Sequence, residues 1–247
     1  MLRLLRKIHR YAYVASVLFF FALGYPFLLL YARSAHKNYN KIVSFRKWIS
    51  VAGMYAVGIR VQVNFETPVD WTQTYIICPN HTSFLDISVL TFLCKTPFSF
   101  MGKEELLENP IARIFFETID IPVKRDSKIS SFKAYKKALE ILHDRKSLVI
   151  FPEGKIDDNY PPVLHPFKPG AFRLATDYNI AILPVVIQDA WKILWDDGKK
   201  FGSQPGVIHV NVLAPIETKA LGKDNVMQLE REVYNKMKDS WDLYNKS

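Results

Sequence analysis

No aspartate or glutamate occurs in the first 65 residues of this 247-residue chain, although the rest contains 24 of them. The same stretch holds ten basic residues: Arg3, Arg6, Lys7, Arg10, Arg33, Lys37, Lys41, Arg46, Lys47 and Arg60. It therefore carries more positive charge than the net +9 of the whole chain, and everything after it nets −1. Such a balance argues against a nucleic-acid partner, which would need positive charge spread over a folded surface. The charge instead brackets a long apolar run, the pattern that suits an anionic membrane surface. Only two cysteines are present, Cys78 and Cys94, which excludes a disulfide framework and leaves no metal-ligand spacing. No metal or resident cofactor is expected. There is no Gly-x-Ser-x-Gly elbow, which argues against a serine hydrolase. Internal repeats, low-complexity tracts and interior linkers are absent too.

Among the features present, the apolar run spans residues 11–31, has no charged residue and includes Phe19, Phe20 and Phe21. At about 1.5 Å per helical residue it would reach about 32 Å, enough to cross a bilayer. It exceeds the usual core of a cleaved signal, about 7–15 residues. Both flanks are basic, so the positive-inside rule gives no orientation, and Gly24 and Pro26 interrupt the run. Residues 42–59 mix Ile42, Phe45, Ile49, Met54 and Ile59 with Arg46, Lys47 and Trp48, suggesting a second, amphipathic helix in the interface. A single span and a two-helix hairpin dipped into one leaflet both fit. The expected division is a membrane-associated segment, 1–62, followed by one domain, 63–247.

Beyond residue 62 the elements alternate. Strands are expected at 61–65, 75–78, 98–101, 119–123, 147–151, 181–187 and 207–213. Helices are expected at 84–93, 130–143 and 226–244. The helix at 130–143 places Phe132, Tyr135, Leu139 and Leu142 on one face, opposite Lys133, Lys136 and Lys137. The stripe Leu229, Val233, Met237, Trp241 and Tyr244 reads as core packing. The fold class is α/β, a mixed β-sheet flanked by helices and preceded by the N-terminal helical segment.

The most informative stretch is Asn80-His81-Thr82-Ser83-Phe84-Leu85-Asp86, directly after the apolar strand at 75–78. In a continuous helix, residues five positions on point about 140° apart, so His81 and Asp86 meet only if His81 lies in the turn before the helix. Thr82 and Ser83 are suitable N-caps for such a start. A carboxylate there could hold the imidazole in one tautomer, as an orienting group does for a general base. Alternatively, the histidine is a satisfied turn residue and the aspartate complements a helix N-terminus. Cys78, close by, could be a nucleophile, although an apolar cysteine at a buried strand end is the plainer reading. Three further polar groups fall at strand ends, where α/β sheets place ligands. They are Met101-Gly102-Lys103-Glu104-Glu105-Leu106, Ile121-Pro122-Val123-Lys124-Arg125 and Phe151-Pro152-Glu153-Gly154-Lys155.

In this order the blocks resemble the membrane-associated glycerophospholipid acyltransferase family, and within it the 1-acylglycerol-3-phosphate acyltransferases. The resemblance covers about residues 75–190 and extends to Phe167-Lys168-Pro169-Gly170-Ala171-Phe172-Arg173 and Leu183-Pro184-Val185. It implies His81 as general base on the free hydroxyl of a lysophospholipid and Asp86 as its orienting carboxylate. The donor would be an acyl thioester of coenzyme A or acyl carrier protein, with no acyl-enzyme. Lys103, Arg125 and Lys155 would bind the acceptor phosphate, and Glu153 would position the acceptor or brace that cluster. Backbone N–H groups near the helix start or Gly154 would stabilise the developing oxyanion. Here Glu153-Gly154-Lys155-Ile156 stands where the family usually has Glu-Gly-Thr-Arg, so either Lys155 supplies the missing cation or the acceptor head group differs. Glycerol-3-phosphate acylation and a non-catalytic lipid-binding role are the alternatives. The implied location is a membrane of the bacterial inner-membrane type, with the domain on its cytoplasmic side.

Overall fold

A computed structural model of the chain describes residues 1–247 except 125, 157, 220–224 and 246–247. Among the described residues, seven strands form one sheet: β1 (Ile59–Phe65), β2 (Tyr75–Pro79), β3 (Phe98–Lys103), β4 (Ile121–Val123), β5 (Ser147–Ile150), β6 (Ala181–Ile187) and β7 (Gly206–Val212). Their spatial order is β1-β7-β6-β2-β5-β3-β4. The five strands from β6 to β4 are parallel; β7 pairs antiparallel with β6, and β1 parallel with β7. The sheet is therefore mixed, as the sequence indicates. Every residue of β2 and β6 is buried, the signature of strands covered on both faces.

Alternation along β2 defines the two layers. Tyr75 and Ile77 face α3 (Leu85–Leu93) and α4 (Arg113–Thr118) together with the N-terminal helices. Ile76 and Cys78 face α5 (Lys128–His143), α6 (Gly170–Tyr178) and α8 (Val226–Asn245). Leu229, Val233, Met237 and Trp241 of α8 are buried, so that stripe is core. The short helices α4 and α7 (Ala190–Ile193) lie where no helix was expected, because at six and four residues they hold too few turns for a periodicity. Helix α6 was not expected either, although Ala171, Phe172, Leu174 and Ala175 form its buried face. α5 starts earlier than its apolar spacing indicates, with the Ser127 hydroxyl accepting from Ser130 N–H at 3.2 Å. Its buried stripe runs through Ala134, Ala138, Ile141 and Leu142, and Phe132 is 70% exposed. The expected stripe followed the largest apolar residues, whereas the sheet takes the alanines.

α1 (Leu2–Ala32) and α2 (Ala35–Ala56) are joined by Arg33 and Ser34 into an antiparallel hairpin. Ser16 Oγ of α1 donates to Gly53 O of α2 at 2.8 Å, and a Cβ on Gly24 would lie 3.2 Å from the Phe45 ring. The apolar face of α2, with Ile42, Val43, Ile49 and Met54, is buried against the domain and is part of its core. Arg46 fixes it there, bonding Asp120 Oδ1 and Phe98 O, each at 2.7 Å. α1 alone among the described helices is long and apolar enough to cross a membrane. Its outer face exposes Leu4, Tyr11, Phe19, Leu23, Phe27 and Leu30.

Candidate active site

The parallel strands β6, β2, β5, β3 and β4 end along one edge, and the described residues among the expected site lie at or just beyond those ends. Asn80 fixes the first turn beyond β2. Its Nδ2 donates to Ile187 O at 3.1 Å, and its Oδ1 accepts from Ile187 N–H at 2.7 Å. The side chain thus imitates one more residue of sheet pairing and sets where the next residue, His81, emerges. Asn80 opens the stretch read as most informative, but its sequence context assigns it no role, since its partner lies in a distant strand. Replacing it with alanine leaves both buried Ile187 groups without these partners, at about 1–3 kcal/mol. We expect Asn80→Ala to lower the unfolding midpoint and kcat together; an unchanged midpoint and rate would contradict this role.

His81 sits in the turn and Asp86 in the first turn of α3, the placement that the spacing requires. Nδ1 of His81 lies 3.0 Å from Asp86 Oδ2. The same oxygen accepts the N–H groups of Thr82 and Ser83 at 2.8 and 2.9 Å. Asp86 is fully buried, so its carboxylate is held by these donors rather than by water. A proton on Nδ1 directed at the carboxylate leaves Nε2 with its lone pair, the arrangement of a general base. Capping agrees with the expectation at Ser83 in its hydrogen bond, although the residue directly before α3 is Phe84. Ser83 Oγ accepts from Leu85 N–H at 3.0 Å, while Asp86 reaches back from the helix to the N–H groups of Thr82 and Ser83.

The turn after β5 closes the other side. The Phe151 ring stacks on His81 at 3.9 Å between centroids. Buried Glu153 accepts His81 N–H at 2.7 Å through one carboxylate oxygen and His165 N–H at 2.8 Å through the other. Glu153 therefore braces the histidine loop against the segment 163–168. Gly154 adopts φ +79°, a conformation that disfavours side chains, and donates to Phe151 O at 3.1 Å.

One expectation changes here. His81 N–H is taken by Glu153, those of Thr82 and Ser83 by Asp86, that of Phe84 by Asp196 O at 2.9 Å, and that of Gly154 by Phe151. The backbone donors suggested for an oxyanion are thus already engaged within the protein.

Lys103 is exposed at the end of β3, in register with Val123 of β4. Two strand spacings of about 4.8 Å put it roughly 10 Å along the edge from the histidine loop. Lys155 is exposed in the turn after Glu153. Arg125 lies outside the described residues, immediately after exposed Lys124. Cys78 is fully buried, and burial pushes its thiol far above the ordinary range, which removes it as a nucleophile.

Comparison with known proteins agrees with this architecture. The family model described as Acyltransferase matches residues 60–188, from β1 to the end of β6. The chloroplastic 1-acyl-sn-glycerol-3-phosphate acyltransferase LPAT1 of Arabidopsis thaliana is 29% identical over 222 residues, covering 90% of this chain and 59% of its own. The alpha 1-acyl-sn-glycerol-3-phosphate acyltransferase of Mus musculus is 31% identical over 186 residues, covering 74% and 64%. This chain thus spans about three-fifths of those relatives' lengths. The crystal structure of the 1-acyl-sn-glycerophosphate acyltransferase PlsC from Thermotoga maritima has the same fold, with a TM-score of 0.75 at 20% identity over 98% of both chains. The chain belongs to the acyltransferase family.

Proposed function

We propose that the protein transfers a fatty acyl group from an acyl thioester to the sn-2 hydroxyl of a 1-acylglycerol-3-phosphate, giving phosphatidic acid. The observation that carries this reading is the His81–Asp86 pair, 3.0 Å apart, with the carboxylate locked by two backbone N–H groups. The names of the plant and mouse relatives support the acceptor. Nε2 of His81 takes the hydroxyl proton as the oxygen attacks the thioester carbon. The C–S bond then breaks, and the thiolate of coenzyme A or acyl carrier protein leaves, accepting the proton from the imidazolium. Asp86 stabilises that imidazolium. The acceptor hydroxyl is the nucleophile, so no acyl-enzyme forms. Lys103, Arg125 and Lys155 bind the acceptor phosphate, and Glu153 holds the loop that presents the base.

Lys155 tests the acceptor. Lys155→Ala should raise KM for lysophosphatidic acid about tenfold with a smaller change in kcat, the mark of lost binding to a charged group. Unchanged kinetics would show that this lysine binds no phosphate. Glycerol-3-phosphate offered beside lysophosphatidic acid separates the nearest other acyl transfer.

For the membrane, the reading is a hairpin seated in one leaflet, on the cytoplasmic side of a bacterial inner membrane. Its support is that α1 is bonded to the domain near its start and packs towards its end on α2, itself buried against the domain. Near its start Arg10 Nε donates to Asp197 O at 2.8 Å, and towards its end Phe27 stacks on Phe45 of α2 at 5.6 Å. A helix held along its length lies beside the domain rather than leaving it to span.

A further inference from the structure

The stretch that runs from within α7 towards β7, residues 191–203, does more than connect two elements. It carries Trp191, Trp195 and Phe201 with Lys192, Lys199 and Lys200. The Tyr160 ring gathers these aromatics, with centroids 5.5 Å from Trp191, 5.6 Å from Trp195 and 4.4 Å from Phe201. Lysines lie over the rings, Lys200 at 5.0 Å from Trp195 and Lys192 at 5.3 Å from Trp191. The cavity among these side chains is only about 10 Å³, so no planar ligand fits between them. What the cluster offers is its outside, where Tyr160, Phe201 and the nearby Val163 are exposed.

The position of the cluster supplies the second observation. On one side it is bonded to the start of α1. Ser203 N–H donates to Arg6 O at 2.9 Å and Arg6 Nη2 to Gln204 Oε1 at 2.9 Å. Gly202 lies so close that a Cβ there would be 2.6 Å from the Arg6 carbonyl. On the other side it is bonded to the catalytic loop, through Phe84 N–H to Asp196 O at 2.9 Å and Asp196 N–H to Thr82 O at 3.2 Å. The Phe84 side chain is itself 55% exposed. The histidine loop, the aromatic cluster and the apolar helix are therefore one hydrogen-bonded unit.

The charges agree. Arg3, Lys7, Lys192, Lys199 and Lys200 are exposed around this unit. Of the two acids in the segment, Asp197 is paired with Lys199 at 2.6 Å. Burial raises the Asp196 carboxyl above its ordinary value, with the neighbouring Asp197 charge adding to the shift. An exposed tyrosine, with its apolar ring and polar end, set beside exposed phenylalanines and lysines is a composition that settles at a membrane–water interface.

We propose that Tyr160, Phe201 and Phe84 with Lys192, Lys199 and Lys200 form a second lipid-contact surface, which seats the strand edge that carries His81 on an anionic bilayer. It rests on the reading that α1 inserts in a leaflet and adds to it: α1 anchors the protein, and this surface fixes its tilt and brings the lysolipid head group to the base.

The test uses the full chain and co-sedimentation with vesicles of phosphatidylcholine alone or containing phosphatidylglycerol. The variant Lys192→Glu/Lys199→Glu/Lys200→Glu should bind neutral vesicles as the parent does and anionic vesicles about tenfold or more weakly, since each lysine near an anionic surface adds measurable attraction. The variant Tyr160→Ser/Phe201→Ser should bind both kinds more weakly. Both variants should retain activity on acceptor dispersed in detergent and lose it on acceptor embedded in phosphatidylglycerol-containing vesicles. Parental binding of the charge-reversed variant to anionic vesicles, with parental turnover there, overturns the proposal. Failure of the parent to bind either vesicle overturns the anchoring by α1 as well, so the two readings fail separately.

Discussion

His81→Ala should lower kcat by about three orders of magnitude or more, with the fold and the thermal midpoint close to those of the parent. The size of the loss follows from the role, because an alanine there leaves no group to take the hydroxyl proton as it attacks. The tolerance of the fold follows from the contacts. Asp86 keeps the N–H groups of Thr82 and Ser83, and Glu153 keeps the N–H of residue 81, a backbone group that alanine also has. What goes is the ring stacked on Phe151 and its bond to Asp86. Single-turnover assays with saturating acceptor, beside a thermal melt, separate the two effects. Turnover within tenfold of the parent in a folded variant would remove His81 as the base.

Arg46→Ala carries the largest expected cost in stability. Arg46 and Asp120 are both nearly fully buried, 2.7 Å apart, and the guanidinium also bonds Phe98 O and lies 4.4 Å from the Phe98 ring centre. Burial pushes the Asp120 carboxyl up, and the Arg46 charge pulls against that shift. Removing the arginine leaves a buried carboxylate whose remaining bond from Phe100 N–H, at 2.8 Å, cannot replace it. The cost of breaking such a pair is about 3–5 kcal/mol, a large share of the roughly 5–15 kcal/mol that holds a domain folded. Denaturant unfolding in detergent should show it, and a loss below about 1 kcal/mol would mean that the pair contributes little. The result bears on architecture, because Arg46 belongs to the hairpin and Asp120 to the sheet layer. A large loss would show that α2 is structural to the domain that follows it.

Much of this was legible in the sequence for physical reasons. The buried strands β2 and β6 announce themselves as uninterrupted apolar runs, since a strand covered on both faces has no reason to alternate. The placement of His81 in the turn follows from helix geometry once the two side chains are required to meet. Other parts depend on distant partners. Asn80 gains its importance from Ile187, 107 positions away, and Glu153 from His81, 72 positions away; no local pattern encodes either bond. Arg46 reads as one more cation in a basic segment until the fold brings Asp120 beside it. Phe132 misled because size was taken as the sign of burial, whereas α5 meets the sheet through alanines. The backbone donors expected near the start of α3 were reasonable from sequence, yet Asp86, Glu153 and Asp196 had already claimed them.

The most direct measurement is a side-by-side assay of the purified protein in detergent, following thiol release and lipid product together. The acceptors are lysophosphatidic acid, glycerol-3-phosphate and a neutral lysolipid, each with an acyl-coenzyme A and an acyl carrier protein thioester. The expected result is one phosphatidic acid formed for each thiol released, with kcat/KM highest for lysophosphatidic acid and lost in His81→Ala. Thiol release without lipid product, or no turnover with any acceptor, would contradict acyl transfer at the His81–Asp86 site.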